Sequence, residues 1–185
     1  GSHREIEPHG AHSEDDFRVT LANTGSDDLT GSRVKQVEKY IDEDLVCVTY
    51  GDGLTDVDLH AELDFHLQHG RIGTVLGVHQ PTRFGIFRLS DNGQVEDFSE
   101  KPQFSNEFIN GGYFFFEKGF EKYIDSKDQS CIFEQAPLVS LSRAKELFVH
   151  RHEGFWQCMD TIREKQLLEK LYESRQAPWT APLPR

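Results

Sequence analysis

Leu45-Val-Cys-Val-Thr-Tyr-Gly-Asp-Gly53 decides how this chain is read. An apolar, β-branched run makes a buried strand, and the carboxyl end of such a strand is where an open α/β sheet presents ligand-binding groups. Glycines on both sides of Asp52 let bulky phosphates and a hard divalent cation come close to the backbone. Asp52 is therefore the first candidate metal ligand, with a solvated turn aspartate as the alternative.

Working towards the amino terminus, Phe17 to Ala22 alternates apolar and polar residues and predicts a strand, followed by the turn-rich Asn23-Thr-Gly-Ser-Asp-Asp28. Thr30 is placed to cap a helix over Gly31 to Ile41, with Val34, Val37, Tyr40 and Ile41 on one face. Towards the carboxyl terminus, the loop from Gly51 to Asp58 leads to a helix that Gly70 ends after His69. Ile72 to Val78 reads as another buried strand. Gly85 to Leu89 and Val95 to Ser99 flank the hairpin turn Asp91-Asn-Gly93, and Phe108 to Phe116 supplies a further strand. Helices are expected over Phe120–Asp125, Phe133–Lys145 and Thr161–Ser174, before a proline-rich end from Ala177 to Pro184 that runs extended. The expected class is α/β: one domain over residues 1–185 holding a partial doubly wound, Rossmann-like mixed sheet, a small antiparallel addition and a C-terminal helix. The first sixteen residues are polar where such a sheet usually opens with a strand and a phosphate-binding turn, so the first βα elements read as missing.

Bulk composition narrows the function classes. With 32 acidic against 20 basic residues, the formal charge of -12 repels phosphodiester backbones, and nucleic acid is not an expected partner. No run approaches the roughly 20 apolar residues of a membrane span, and no secretory signal pattern opens the chain; a soluble, cytoplasmic protein without a membrane partner is the expectation. Cys47, Cys131 and Cys158 are widely spaced and read as reduced thiols. His3, His9 and His12 lie in a polar stretch that begins Gly1-Ser2-His3, a sequence consistent with a tag remnant. His66 and His69, one helical turn apart, read as helix surface.

The remaining chemistry-bearing positions are scattered. Asp160 precedes the helix from Thr161 and is either an N-cap or a second carboxylate to pair with Asp52 around one Mg²⁺. Glu100 and Lys101 point to opposite faces of a strand end, one suited to sugar hydroxyls and the other to a phosphate, unless they are plain edge residues. Asn110-Gly-Gly112 interrupts an aromatic-rich strand, which suits either close approach of a sugar or a β-bulge. Thr24-Gly25 and Thr30-Gly-Ser-Arg33 form a strand-to-helix turn fit for a base or phosphate, or an ordinary capped turn. Tyr113, Phe114, Phe115, Phe116 and Phe120 read as core.

Taken in order, Val19-Thr-Leu, Thr24-Gly25, Thr30-Gly-Ser-Arg33, Tyr50-Gly-Asp-Gly53, Arg83-Phe-Gly85, Glu100-Lys-Pro102, Ile109-Asn-Gly-Gly112, Glu134-Gln-Ala-Pro-Leu138, Gly154-Phe-Trp156, Met159-Asp-Thr161 and Ala177-Pro-Trp179 resemble the glucose-1-phosphate cytidylyltransferases, a branch of the sugar nucleotidyltransferases. The resemblance implies the nucleotide-diphospho-sugar transferase type of sheet. It also implies Mg²⁺-assisted formation of CDP-glucose and pyrophosphate from CTP and α-D-glucose 1-phosphate, for dideoxyhexose and O-antigen polysaccharide synthesis, in a homo-oligomer. By this carry-over Asp52 and Asp160 hold the metal and, with Lys101, form the catalytic set. Thr24, Gly25, Thr30, Gly31 and Arg33 take the nucleotide. Tyr50, Gly51, Gly53, Gly85, Glu100, Lys101, Asn110, Gly111 and Gly112 line the sugar-phosphate pocket.

Three departures are single residues: Ser32 for glycine, Phe17 for tryptophan and Cys158 for proline. The larger one is that the family's Gly-Gly-x-Gly-Thr-Arg loop and following lysine are not among these residues. The expectation is a fragment whose native start precedes Gly1, or a protein without its triphosphate grip, and in either case little turnover from these residues alone. The alternatives are a related enzyme with another base or sugar, and a catalytically silent sugar-nucleotide binder.

Overall fold

A computed structural model describes residues 19–79, 85–99, 107–125 and 129–180. Its centre is a mixed four-stranded sheet in the order β1-β6-β3-β7, built from β1 (Leu45–Thr49), β6 (Ile109–Glu117), β3 (Gly73–Val78) and β7 (Leu147–Arg151). β6 runs antiparallel to both neighbours, while β3 and β7 are parallel. Two short ribbons complete the strands: β2 (Gly53–Thr55) with β8 (Trp156–Cys158), and the hairpin β4 (Ile86–Leu89) with β5 (Val95–Ser99).

Alternation along β6 sends its aromatics to opposite faces. Phe114 and Phe116, both fully buried, join Val75, Phe133 and Leu141 on the face covered by α1 (Thr30–Val37) and α3 (Ala136–Arg143). Tyr113 turns the other way, onto Leu76, Val78, Val57 and Trp156. That second face also carries α2 (Leu59–His69), which opens on the Asp58 side chain and closes on Gly70 at φ 58°. The core reading of Phe114, Phe115, Phe116 and Phe120 holds, and so does the hairpin, whose Gly93 takes φ 86°.

Several expectations need correcting. Val19 to Ala22 is not a strand: Val19 and Leu21 are 69% and 78% exposed, and among the described residues no strand offers them a ladder. Thr30 does not cap α1; its N-cap is Leu29, because the Thr30 hydroxyl is used by another segment, accepting from the Phe133 amide at 2.9 Å. The loop after Asp52 contains β2, and β7 and β8 lie where no strand was expected. His66 is not on the surface but 1% exposed, and its ring and that of His69 both meet the Thr74 hydroxyl at 2.7 Å. α4 (Ile162–Glu173) is capped not by Asp160 but by Thr161, in a capping box with Glu164.

Candidate active site

The β2–β8 ribbon places the backbones of the two candidate metal ligands near one another. Gly53 pairs with Cys158 in the ladder, and the Met159 amide donates to the Asp52 carbonyl at 2.8 Å, so Asp52 and Asp160 stand at one end of the same ribbon. Both side chains are exposed. The capping box leaves the Asp160 carboxylate free of helix duty, because Glu164 takes over: its Oε2 accepts from the Asp160 and Thr161 amides at 3.0 and 2.9 Å. Cys158, Asp160 and Glu164 each offer a donor atom within 4.8 Å of the others. Burial, and then the neighbouring Asp160, push the Cys158 thiol above its ordinary range. Exposed carboxylate oxygens at a strand end, as Asp52 and Asp160 offer, are the donor type that Mg²⁺ takes, since it keeps several waters and few protein ligands.

Next to this pair lies the glycine bulge. From Val75 to Gly77 on β3 is one step of two residues, while the facing stretch of β6 runs four, from Asn110 to Phe114. The bulge alternative for Asn110-Gly-Gly112 is therefore realised. Gly112 sits at φ 80°, and a Cβ there would lie 2.8 Å from the Tyr50 ring. The Asn110 side chain accepts from the Gly112 amide at 2.9 Å, and the Gly112 carbonyl accepts from the Tyr50 amide at 2.9 Å. This bulge leaves Asn110 exposed beside half-buried Tyr50.

Glu134 joins regions that the sequence reading kept apart. One of its carboxylate oxygens accepts from the Tyr50 hydroxyl and the other from the Thr30 hydroxyl, the latter at 3.2 Å. Burial first, and then Glu134, push the Tyr50 phenol well above its ordinary range and keep it a donor. Glu134 opens the Glu134-Gln-Ala-Pro-Leu138 motif, which by itself implies no role for it. Its partners are 84 and 104 residues away, and nothing local announces them.

Not every candidate converges. Arg33 spends its guanidinium on its own turn, donating to the Thr24 hydroxyl at 2.8 Å and to the Ser26 carbonyl at 3.3 Å. Gly25, at φ 86°, is held by the Asn23 side chain. Gly31 packs against Cys131, where an added Cβ would lie 2.7 Å from the sulfur. Gly51 and Gly53 flank Asp52, but Gly85 opens the separate β4–β5 hairpin. Glu100 and Lys101 lie outside the described residues.

Gly154-Phe-Trp156 works as a turn that aims the tryptophan. Asp56 accepts from the Phe155 amide at 2.7 Å and meets the His152 ring at 2.9 Å, and a Cβ on Gly154 would lie 2.6 Å from the same Asp56 oxygen. Beyond that turn the Trp156 indole reaches the Gly111 carbonyl at 2.8 Å.

The wider relationships agree with this architecture. The chain is 40% identical to the glucose-1-phosphate cytidylyltransferase of Salmonella typhi over 96% of its own length and 65% of that protein's. It is 31% identical to the mannose-1-phosphate guanylyltransferase catalytic subunit beta of Drosophila melanogaster, over 65% of this chain and 32% of that one. HddC of Yersinia pseudotuberculosis superposes with a TM-score of 0.54 at 19% identity, over 78% of this chain and 62% of that structure, a likeness of fold. The chain thus spans just under two thirds of the Salmonella relative. The family model described as nucleotidyl transferase matches residues 8–157, a Rossmann-like mixed α/β sheet of the nucleotide-diphospho-sugar transferase type underlies it, and the chain belongs to the nucleotidyl transferase family.

Proposed function

We propose that the protein of which these residues are part is a cytoplasmic, homo-oligomeric, Mg²⁺-dependent enzyme that makes CDP-glucose and pyrophosphate from CTP and α-D-glucose 1-phosphate, for surface polysaccharide synthesis. The observation that carries the reading is that the backbone pairing of Gly53 with Cys158 and of Asp52 with Met159 sets Asp52 and Asp160 at one end of the β2–β8 ribbon. The resemblance of the whole chain to a cytidylyltransferase supports the base and the sugar.

In this reading a phosphate oxygen of the sugar phosphate attacks the α-phosphorus of CTP, the α–β phosphoanhydride bond breaks, and pyrophosphate leaves with that electron pair. Bound Mg²⁺ would neutralise developing phosphate charge. The protein's part is positioning. Asp52 and Asp160 hold the cation, the bulge at Asn110–Gly112 admits the sugar, and Tyr50, fixed by Glu134, walls it. The turn of Thr24, Gly25, Thr30, Gly31 and Arg33 takes the nucleotide, and Lys101 and Glu100 take phosphate and sugar hydroxyls.

Pyrophosphate release by the full-length protein tests the reading. Release with CTP and glucose 1-phosphate well above that with UTP, dTTP, GTP or mannose 1-phosphate supports it, and preference for another nucleotide moves the protein to a sister activity. Asp52→Asn and Asp160→Asn are each expected to cut turnover by about 100-fold or more while the protein stays folded, since both side chains are exposed. Full activity in either variant would remove it from the metal site.

A further inference from the structure

Two side chains tie the carboxylate ribbon to the central sheet, and they do so reciprocally. From β6, the Tyr113 hydroxyl donates to the Gly53 carbonyl at 2.8 Å. From β8, the Trp156 indole N–H donates to the Gly111 carbonyl at 2.8 Å. Each element gives one donor and takes one acceptor, and on both sides the two lie close in the strand or ladder. Gly111 is two residues before Tyr113, and Gly53 pairs with Cys158, two residues after Trp156. The four groups close a ring of two side chains and two backbone segments.

The two glycines of this ring differ in how crowded they are. A Cβ on Gly53 would rest in ordinary van der Waals contact, 3.5 Å from the Trp156 Nε1 and 3.6 Å from the Gly111 carbonyl oxygen, which places Gly53 beside that hydrogen bond. A Cβ on Gly111 would come 2.9 Å from Val78 and 3.0 Å from the Leu76 carbonyl. Gly111 thus lets β6 lie close against β3 at the bulge, independently of any ligand. Apart from the Met159–Asp52 bond and the ladder itself, the ribbon's own pairing spans only three residues on each strand, too few to fix its place by themselves.

We infer that Tyr113 and Trp156 are positioning residues: their reciprocal bonds set the distance from the Asp52–Asp160 end of the ribbon to the Asn110–Gly112 bulge, and with it the alignment of metal-bound phosphate and sugar. The inference rests on the reading above for the identity of those ligands, but the bonds themselves do not. Because both bonds fix one spacing, breaking either one releases the ribbon, and breaking the second then costs little more.

The test uses Tyr113→Phe, Trp156→Phe and the double variant in the full-length protein, each keeping an aromatic ring in place. With CTP and glucose 1-phosphate, either single variant is expected to lower kcat by about 10-fold with KM for CTP changed less than about twofold, as misplacement of reacting groups would do. The double variant should match the singles. Hydrogen exchange of the Trp156 indole N–H and the Met159 amide should quicken in Tyr113→Phe while the amides of β3 keep their wild-type rates. Wild-type exchange at Trp156 and Met159 in Tyr113→Phe, or losses in kcat that multiply in the double variant, would overturn the inference. A wild-type protein that makes no product from any sugar phosphate would reject the proposed function instead, and the exchange measurement, which needs no substrate, would still decide whether the two bonds act as one.

Discussion

Replacing Glu62 with glutamine should reverse part of the protein's pH dependence. Glu62 lies on the inner face of α2 with 0% exposure, and neither carboxylate oxygen has a hydrogen-bond partner among the described residues. Burial pushes its carboxyl from 4.5 up to about 7. Its charge, when present, also helps to raise the Cys47 thiol and the Tyr113 phenol, both of which are raised first by burial. This is the opposite of the usual carboxylate case. Below 4.5 the group is neutral folded and unfolded and costs nothing extra. Between 4.5 and about 7 the unfolded chain has released the proton and the folded one still holds it, so stability falls as pH rises and levels off above 7. At about 1.4 kcal/mol for each pH unit, the loss across that window is roughly 3 kcal/mol.

Histidines pull the other way. Burial lowers His66, His69 and His150 below 6.5, so their contribution grows as pH rises towards 6.5. Wild type and Glu62→Gln share these histidines, and the difference between the two proteins isolates the glutamate. Urea unfolding from pH 5 to 8 is therefore expected to show the variant gaining on wild type, by up to roughly 3 kcal/mol at pH 7 and with no further change above it. A difference that stays flat across that range would refute the assignment of a buried, partnerless carboxyl.

Gly112→Ala forces a side chain into φ 80° and against the Tyr50 ring; it should lose roughly 1–3 kcal/mol in thermal unfolding and weaken sugar-phosphate binding together. Thr161→Ala removes one arm of the capping box and should cost about 1 kcal/mol, read by the same unfolding, while Thr161→Ser recovers most of it.

The sequence was most legible where one signal is local. Gly70 after an amphipathic stretch, Asp91-Asn-Gly93 between alternating runs, and the aromatic alternation of β6 each declare their own structure and appear as read. Thr161-x-x-Glu164 is itself a capping-box pattern, and it displaces the neighbouring Asp160 from the cap because its two side chains satisfy each other's backbone amides. Val19 to Ala22 misled because alternation specifies a strand only where a neighbour completes the ladder. β2 and β8 were missed because strands of three residues carry too little pattern to register. For the candidate site, Asp52 was readable from its flanking glycines, Asp160 from its place before a helix, and Gly111-Gly112 from their interruption of an aromatic strand. The groups around them, Glu134 on Tyr50 and Thr30, Tyr113 on Gly53 and Trp156 on Gly111, were not, since each acts on a residue 45 to 104 positions away.

The bulge on β6 has an evolutionary side. Its excess over β3 is an even number, so every side chain beyond it keeps the face it would have had in an unbroken ladder: Phe114 and Phe116 still point to one core and Tyr113 to the other. A pair of residues can therefore enter or leave at this point without exchanging the two cores. β1, paired without a break from Leu45–Glu117 to Thr49–Tyr113, holds those faces from the other edge of the strand.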